Sequence, residues 1–122
     1  MKTNNVATAT SKRIKFTTEE TEAIRRAARA VWDEVGYDCL QAVADDKGKD
    51  INAVTVSRAV VIEIALDAGR AEEMLRSQQR RDEKAGRPAV ITDDFFTRLQ
   101  AATYKQLIAL VRPAFTYTRY GM

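Results

Sequence analysis

The stretch that most constrains the fold is residues 54–69, V-T-V-S-R-A-V-V-I-E-I-A-L-D-A-G, the most apolar run of the chain. A hydroxyl at Thr55 or Ser57 can accept a hydrogen bond from a free backbone N–H, which predicts a helix start there. Only three charged residues interrupt the apolar side chains, which cover most of the helix circumference. A helix of this kind is buried on several sides. We therefore expect it to form the core, and a second copy of the chain to help bury it.

A first helix is predicted to begin at Thr17 or Thr18, because three glutamates follow in the turn where the helix dipole favours acidic side chains. Apolar residues then recur at three- and four-residue spacing over 24–35. Gly36 is expected to break this helix, and residues 45–50 to form a polar loop.

The second half of the chain predicts one long helix, a linker and one more helix. The central helix is expected to continue through Gly69, because apolar residues beyond it keep helical spacing. Residues 79–91 are charged and contain a Gly-Arg-Pro sequence, which favours a linker. A third helix is predicted from Thr92 to just before Pro113. Its single apolar stripe must pack on the first unit or against copies of itself, so 92–122 is interpreted as a C-terminal helix and tail for oligomerisation or partner binding.

Near the N-terminus, apolar and polar residues alternate. Ile14 and Phe16 alternate with Arg13, Lys15 and Thr17, the period-two pattern of a short strand with one apolar and one basic face. So short a strand is not stable alone. Antiparallel pairing with the same strand of a second chain is therefore expected.

Charge is concentrated in the same region. The formal net charge is only +3, but the first fifteen residues contain four cations and no acid. Residues 1–11 lack large apolar side chains and are interpreted as a flexible arm. This distribution favours a nucleic-acid partner more than the overall charge does.

Composition argues against an enzyme. The chain has no histidine and one cysteine, Cys39, which supports neither a zinc site nor a Cys–His nucleophile. Adjacent carboxylates diverge on a helix, so the acidic pairs do not converge on a substrate. We expect no catalytic residue, metal site, cofactor or small-molecule substrate. No apolar run could span a bilayer and no secretory signal is recognisable, so a cytoplasmic protein without a membrane partner is expected.

The order strand, helix, polar loop, helix is that of a ribbon-helix-helix DNA-binding unit, here over residues 12–78. The predicted fold class is thus mainly α, a ribbon-helix-helix unit plus a C-terminal helix. A two-stranded ribbon fits the major groove of DNA, where basic side chains can bond guanine. A helix N-terminus can hold a phosphate. The residues predicted to read bases are Arg13, Lys15 and Thr17, and those predicted to bind phosphate are Lys12, Thr55, Ser57 and Arg58.

Three sequence stretches resemble known proteins. V-S-R-A-V-V-I-E-I-A-L (56–66) resembles the second helix of ribbon-helix-helix proteins, and K-R-I-K-F-T-T-E-E-T-E-A-I (12–24) resembles their strand and first helix. With D-D-F-F-T-R-L-Q-A-A-T-Y-K-Q-L-I-A-L (93–110), the layout is similar to the TraM family of relaxosome accessory proteins of F-type conjugative plasmids.

That resemblance implies sequence-specific binding of double-stranded DNA at an origin of transfer, with autoregulation. It also implies homodimers or homotetramers and contact with a relaxase or coupling protein. Base reading then falls to Arg13 and Lys15, and oligomerisation to the third helix.

Three other interpretations are open. The chain could be a ribbon-helix-helix repressor or an antitoxin whose C-terminal helix and aromatic tail form a partner-binding arm. It could be a helical adaptor protein with no DNA role. Ala44, Gly48 and the run 55–58 also resemble a helix-turn-helix, but the interval from Gly48 to Thr55 is long for its tight turn.

Overall fold

The computed structural model describes residues 13–66 and 69–115, and these form five α-helices and no strand. The mainly helical fold expected from the sequence is confirmed for these residues, and Arg13 to Thr17 are extended without regular secondary structure. The helices are α1 (Thr18–Lys47), α2 (Arg58–Ala65), α3 (Arg70–Ala85), α4 (Asp93–Ala101) and α5 (Tyr104–Val111), with 3-10 helices at Ile51–Ala53 and Arg112–Phe115.

Helix α1 begins where the sequence predicts and ends later. The Thr17 hydroxyl accepts from the Glu20 N–H at 3.0 Å, while the Thr17 N–H donates to Glu20 Oε1 at 2.8 Å. This reciprocal capping satisfies two backbone donors. The predicted break at Gly36 is wrong, because the helix continues to Lys47. A Cβ at Gly36 would lie 2.7 Å from Trp32 Cε2, so the glycine makes room for the indole.

The central helix does not pass through Gly69, so that prediction is wrong. Helix α2 ends at Ala65, and Gly69 has φ +75° and precedes the first residue of α3. The left-handed backbone, which glycine adopts without steric cost, interrupts the helical hydrogen bonding. Helix α3 continues to Ala85, into the residues assigned to a linker.

The predicted third helix is two helices. Helix α4 begins at Asp93, next to the predicted start, and the Thr92 hydroxyl caps it by accepting from the Phe95 N–H at 3.1 Å. Ala102 is extended, and the Thr103 hydroxyl then caps α5 by accepting from the Gln106 N–H. The aromatic tail beyond residue 115 lies outside the described residues, as do residues 1–12.

One chain buries most of its own core. The apolar cluster contains Ile24 of α1, Val61 and Ile62 of α2, and Phe95 of α4, all nearly inaccessible to solvent. The third predicted helix therefore packs on the first unit. On α2, Val60 is 38% exposed, while Val61, Ile62 and Ala65 are buried, and α1, α5 and the second 3-10 helix pack against this helix. Burial of α2 thus does not by itself require a second copy.

Among the described helices, none is both long and apolar enough to cross a membrane.

Candidate nucleic-acid interface

Residues 13–17 have the two faces that the sequence predicts. Arg13, Lys15 and Thr17 are exposed, whereas Ile14 and Phe16 are half-buried. The Phe16 ring packs edge-on against Phe95, with 5.8 Å between centroids. The apolar side of this extended segment is therefore anchored in the core, and its basic side faces solvent.

The backbone of the extended segment is held by Gln106 of α5. The Ile14 N–H donates to Gln106 Oε1 at 3.2 Å, and Gln106 Nε2 donates to the Ile14 carbonyl at 2.6 Å. An antiparallel strand neighbour makes the same pair of bonds with one residue. The carboxamide thus takes the place of a neighbouring strand at Ile14.

Arg98 of α4 joins the segment to the start of α1. Its guanidinium donates to the Lys15 carbonyl at 2.8 Å and to both carboxylate oxygens of Glu20, at 2.9 and 2.6 Å. It also bonds Asp94 and lies 5.6 Å from the centroid of the Phe16 ring. Glu20 is only 5% exposed, and the hydrogen bonds from Arg98 hold its pKa below the ordinary value despite burial. Through this bidentate bond to Glu20 and its bond to the Lys15 carbonyl, Arg98 holds the extended segment against the first turn of α1.

Two arginines of α1 donate hydrogen bonds to backbone carbonyls near the C-terminal end of α5. Arg25 Nε donates to the Leu110 carbonyl at 2.7 Å, and Arg29 Nη1 to the Ala114 carbonyl at 3.1 Å. Cations are favoured at the C-terminal end of a helix, where carbonyls lack partners. These arginines therefore hold the end of α5 and with it Gln106, and they were not identified from the sequence.

The predicted phosphate-binding residues are not brought to the extended segment. Thr55, Ser57 and Arg58 are exposed, but they follow the C-terminal end of α1, whereas 13–17 precede its N-terminus. Helix α1 has 30 residues, so it is about 45 Å long at 1.5 Å per residue. The Ser57 hydroxyl caps α2 by accepting from the Val60 N–H at 3.2 Å. Lys12 lies outside the described residues.

The two ends of α1 differ in charge. Residues 13–32 contain five cations and three acids, and one of those acids, Glu20, is neutralised by Arg98. Residues 33–58 contain six carboxylates and three cations. A polyanion is attracted to the first end and repelled by the second. Charge therefore favours 13–17 over 55–58 as a binding surface for a polyanion.

No protein-family model matches the chain, and neither a curated protein nor a solved structure is significantly similar to it.

Proposed function

We propose that this protein binds double-stranded DNA through the exposed face of residues 13–17. The proposal rests on one observation: contacts with α4 and α5 hold the backbone of residues 13–17, and two basic side chains of this segment are exposed to solvent. Arg13 and Lys15 are exposed, while Phe16 packs on Phe95 and the backbone at Ile14 is bonded on both its polar groups. A pre-ordered backbone loses less conformational freedom on binding. Arginine and lysine presented in this way can bond guanine O6 and N7.

In the proposed complex, the extended segments of two chains pair as the antiparallel ribbon of a ribbon-helix-helix dimer. Ile14 directs its N–H and its carbonyl to one side, as a residue in a hydrogen-bonded antiparallel pair does. A partner strand at that edge exchanges places with the Gln106 carboxamide. In the exchange, Ile14 keeps two backbone hydrogen bonds, now to the partner strand, and the Gln106 carboxamide returns to water, so the backbone at Ile14 stays ordered in the dimer.

The resemblance to TraM directs the proposal to a relaxosome accessory factor. Its DNA site is then an origin of transfer, its assembly a homodimer or homotetramer, and its protein partner a relaxase or coupling protein. An antitoxin with a free C-terminal arm fits less well. Phe95, Phe96, Val111 and Phe115 are buried in the core, so residues 93–115 are not free to wrap a partner.

Replacing both Arg13 and Lys15 with alanine should weaken specific duplex binding at least about thirtyfold, because each lost base contact costs about 1–3 kcal/mol and each 1.4 kcal/mol corresponds to a factor of about ten. The logarithmic dependence of affinity on salt should also become less steep, by about one for each lost phosphate contact. Fluorescence anisotropy measures both, with a duplex selected by the wild type from a random pool.

The matched control is Lys47→Ala with Lys49→Ala. These exposed lysines have the same spacing and charge but lie at the acidic end of α1. We expect nearly unchanged affinity. Equal losses in the two double variants would contradict the site. A wild type that selects no duplex and shows no salt-dependent binding would contradict DNA binding and favour the adaptor.

A further inference from the structure

A groove lies between α1 and α3, and in the described part of the chain its lining comes from these two helices alone. Its volume is about 650 Å³. Its floor is apolar and contains small side chains of α1, Ala23, Ala27 and Ala30. Helix α3 runs antiparallel to α1 here, since Arg70 at its start pairs with Glu34 at 3.7 Å.

The lining of the groove has an excess of positive charge, because it contains four arginines and two glutamates, Glu34 and Glu73. Away from the Arg70–Glu34 pair, the arginines are Arg26, Arg80 and Arg81. Arg80 bonds only the Ser77 hydroxyl and Arg81 only the Gln78 carboxamide, both uncharged groups of α3. Within the described residues, none of these three arginines forms an ion pair. The groove therefore suits an acidic partner with apolar side chains.

The same face of α1 continues beyond Glu34 as an acidic ridge, defined here as Tyr37, Asp38, Gln41 and Asp45. Three- and four-residue steps from Ala30 through Glu34 reach these positions, so they share the groove's face. Helix α3 begins level with Glu34 and does not cover them. Tyr37 is 65% exposed, the most exposed of the large hydrophobic residues in the described part of the chain.

We propose that the acidic ridge of one chain docks in the groove of a second copy, with the two α1 helices antiparallel across a two-fold axis. One register of two antiparallel α1 helices sets Ala27 opposite Tyr37 of the other copy and Arg26 opposite its Asp38. The same register sets Ala23 opposite Gln41 of the other copy, so small side chains meet large ones.

Because each chain has one groove and one acidic ridge, every contact between them occurs twice in the two-fold symmetric dimer. A buried tyrosine ring removes about 150–250 Å² from solvent. The two Arg26–Asp38 contacts favour this register, which also sets Glu19 opposite Asp45 of the other copy. This interface is separate from the ribbon and does not depend on DNA binding. Together, two distinct two-fold interfaces in one chain build a tetramer.

Charge reversal tests the interface with the full chain. One variant has an acidic groove (Arg26→Glu with Arg81→Glu), and the other has a basic ridge (Asp38→Arg with Asp45→Arg). Each variant alone places like charges in both contacts, so its assembly should fall to half the size of the wild-type assembly, with self-association weakened at least about tenfold. An equimolar mixture pairs opposite charges in both contacts and should regain the wild-type size. Sedimentation velocity measures the sizes, and circular dichroism checks folding.

Two further variants sharpen the test. Lys47→Glu with Lys49→Glu reverses the same number of charges off this face and should leave the assembly unchanged. Tyr37→Ser should weaken association without changing charge. A wild type no larger than the two charge variants, or a mixture of folded variants that does not regain the wild-type size, would overturn the interface. Binding of an acidic helical peptide to a wild type that does not self-associate would assign the groove to another protein and also overturn it.

Discussion

Replacing Phe95 with alanine should destabilise the protein by about 3–5 kcal/mol, the range for removing a buried aromatic ring from a core. Phe95 is fully buried and packs edge-on against Phe96 at 5.2 Å and Phe16 at 5.8 Å between ring centroids. The Phe95 ring packs between α4 and the extended segment. Filling the cavity left by its removal would therefore require both elements to move. Since small domains have only about 5–15 kcal/mol of stability, chemical denaturation should show a large loss.

Two controls separate the loss of the ring from a general intolerance of substitution. Phe95→Leu keeps most of the volume and should cost less than about 1.5 kcal/mol. Val90→Ala removes a side chain that is 37% exposed, and should change stability by less than about 0.5 kcal/mol. If Phe95→Ala were no more destabilising than Val90→Ala, the packing of α4 on the extended segment would be wrong.

Replacing Arg98 with alanine should cost about 2–3 kcal/mol. The change leaves the buried Glu20 carboxylate without its cation and removes a donor from the Lys15 carbonyl. Breaking one side of a fully buried pair costs about 3–5 kcal/mol. The estimate here is lower because the Arg98 side chain is 29% exposed. Thermal or urea unfolding measures the loss.

The pair also predicts a pH dependence. Arg98 holds the pKa of Glu20 below the ordinary value of 4.5 in the folded protein. A lowered carboxyl pKa contributes stability that is fully present above pH 4.5 and is lost as the pH falls through the folded value. In Arg98→Ala, the loss of stability on acidification below pH 4.5 should therefore be smaller than in the wild type.

Arg58→Ala is the matched control for Arg98→Ala, because the exposed Arg58 side chain forms no ion pair among the described residues. We expect near-wild-type stability and an unchanged acid profile. Equal stability losses in the two variants, or an Arg98→Ala profile as steep as that of the wild type, would contradict the role given to the pair.

Arg98→Ala should also weaken DNA binding, since Lys15 loses one of its backbone anchors.

Local signals in the sequence were reliable where the structure depends on neighbouring residues. The caps at Thr17 and Thr92 were predictable because each side chain bonds a backbone group three residues away. The alternation over 13–17 was also readable, because the two faces of an extended chain follow from a period of two.

The local sequence pattern did not predict the conformations of the glycines or the long-range hydrogen bonds that hold the extended segment. Gly36 lies inside α1, where it leaves room for the Trp32 indole, whereas Gly69 is left-handed and separates two helices. The same residue type thus has opposite effects that depend on tertiary contacts. Gln106 and Arg98 bond backbone groups 92 and 83 positions away. Of the contacts of Arg98, only the ion pair with Asp94, four residues earlier on α4, follows from helical spacing.

The most direct test of the proposed DNA site is a two-dimensional NMR titration of the isotope-labelled full chain with a duplex. The two groups of candidate residues are separated in the chain by the whole of α1, so their backbone amide signals report separately. We expect the amides of Arg13 and Lys15 to shift in proportion to bound DNA, while those of Ser57 and Arg58 stay in place. Shifts at Ser57 and Arg58 without shifts at Arg13 and Lys15 would contradict the proposal and move the DNA site to the N-terminus of α2.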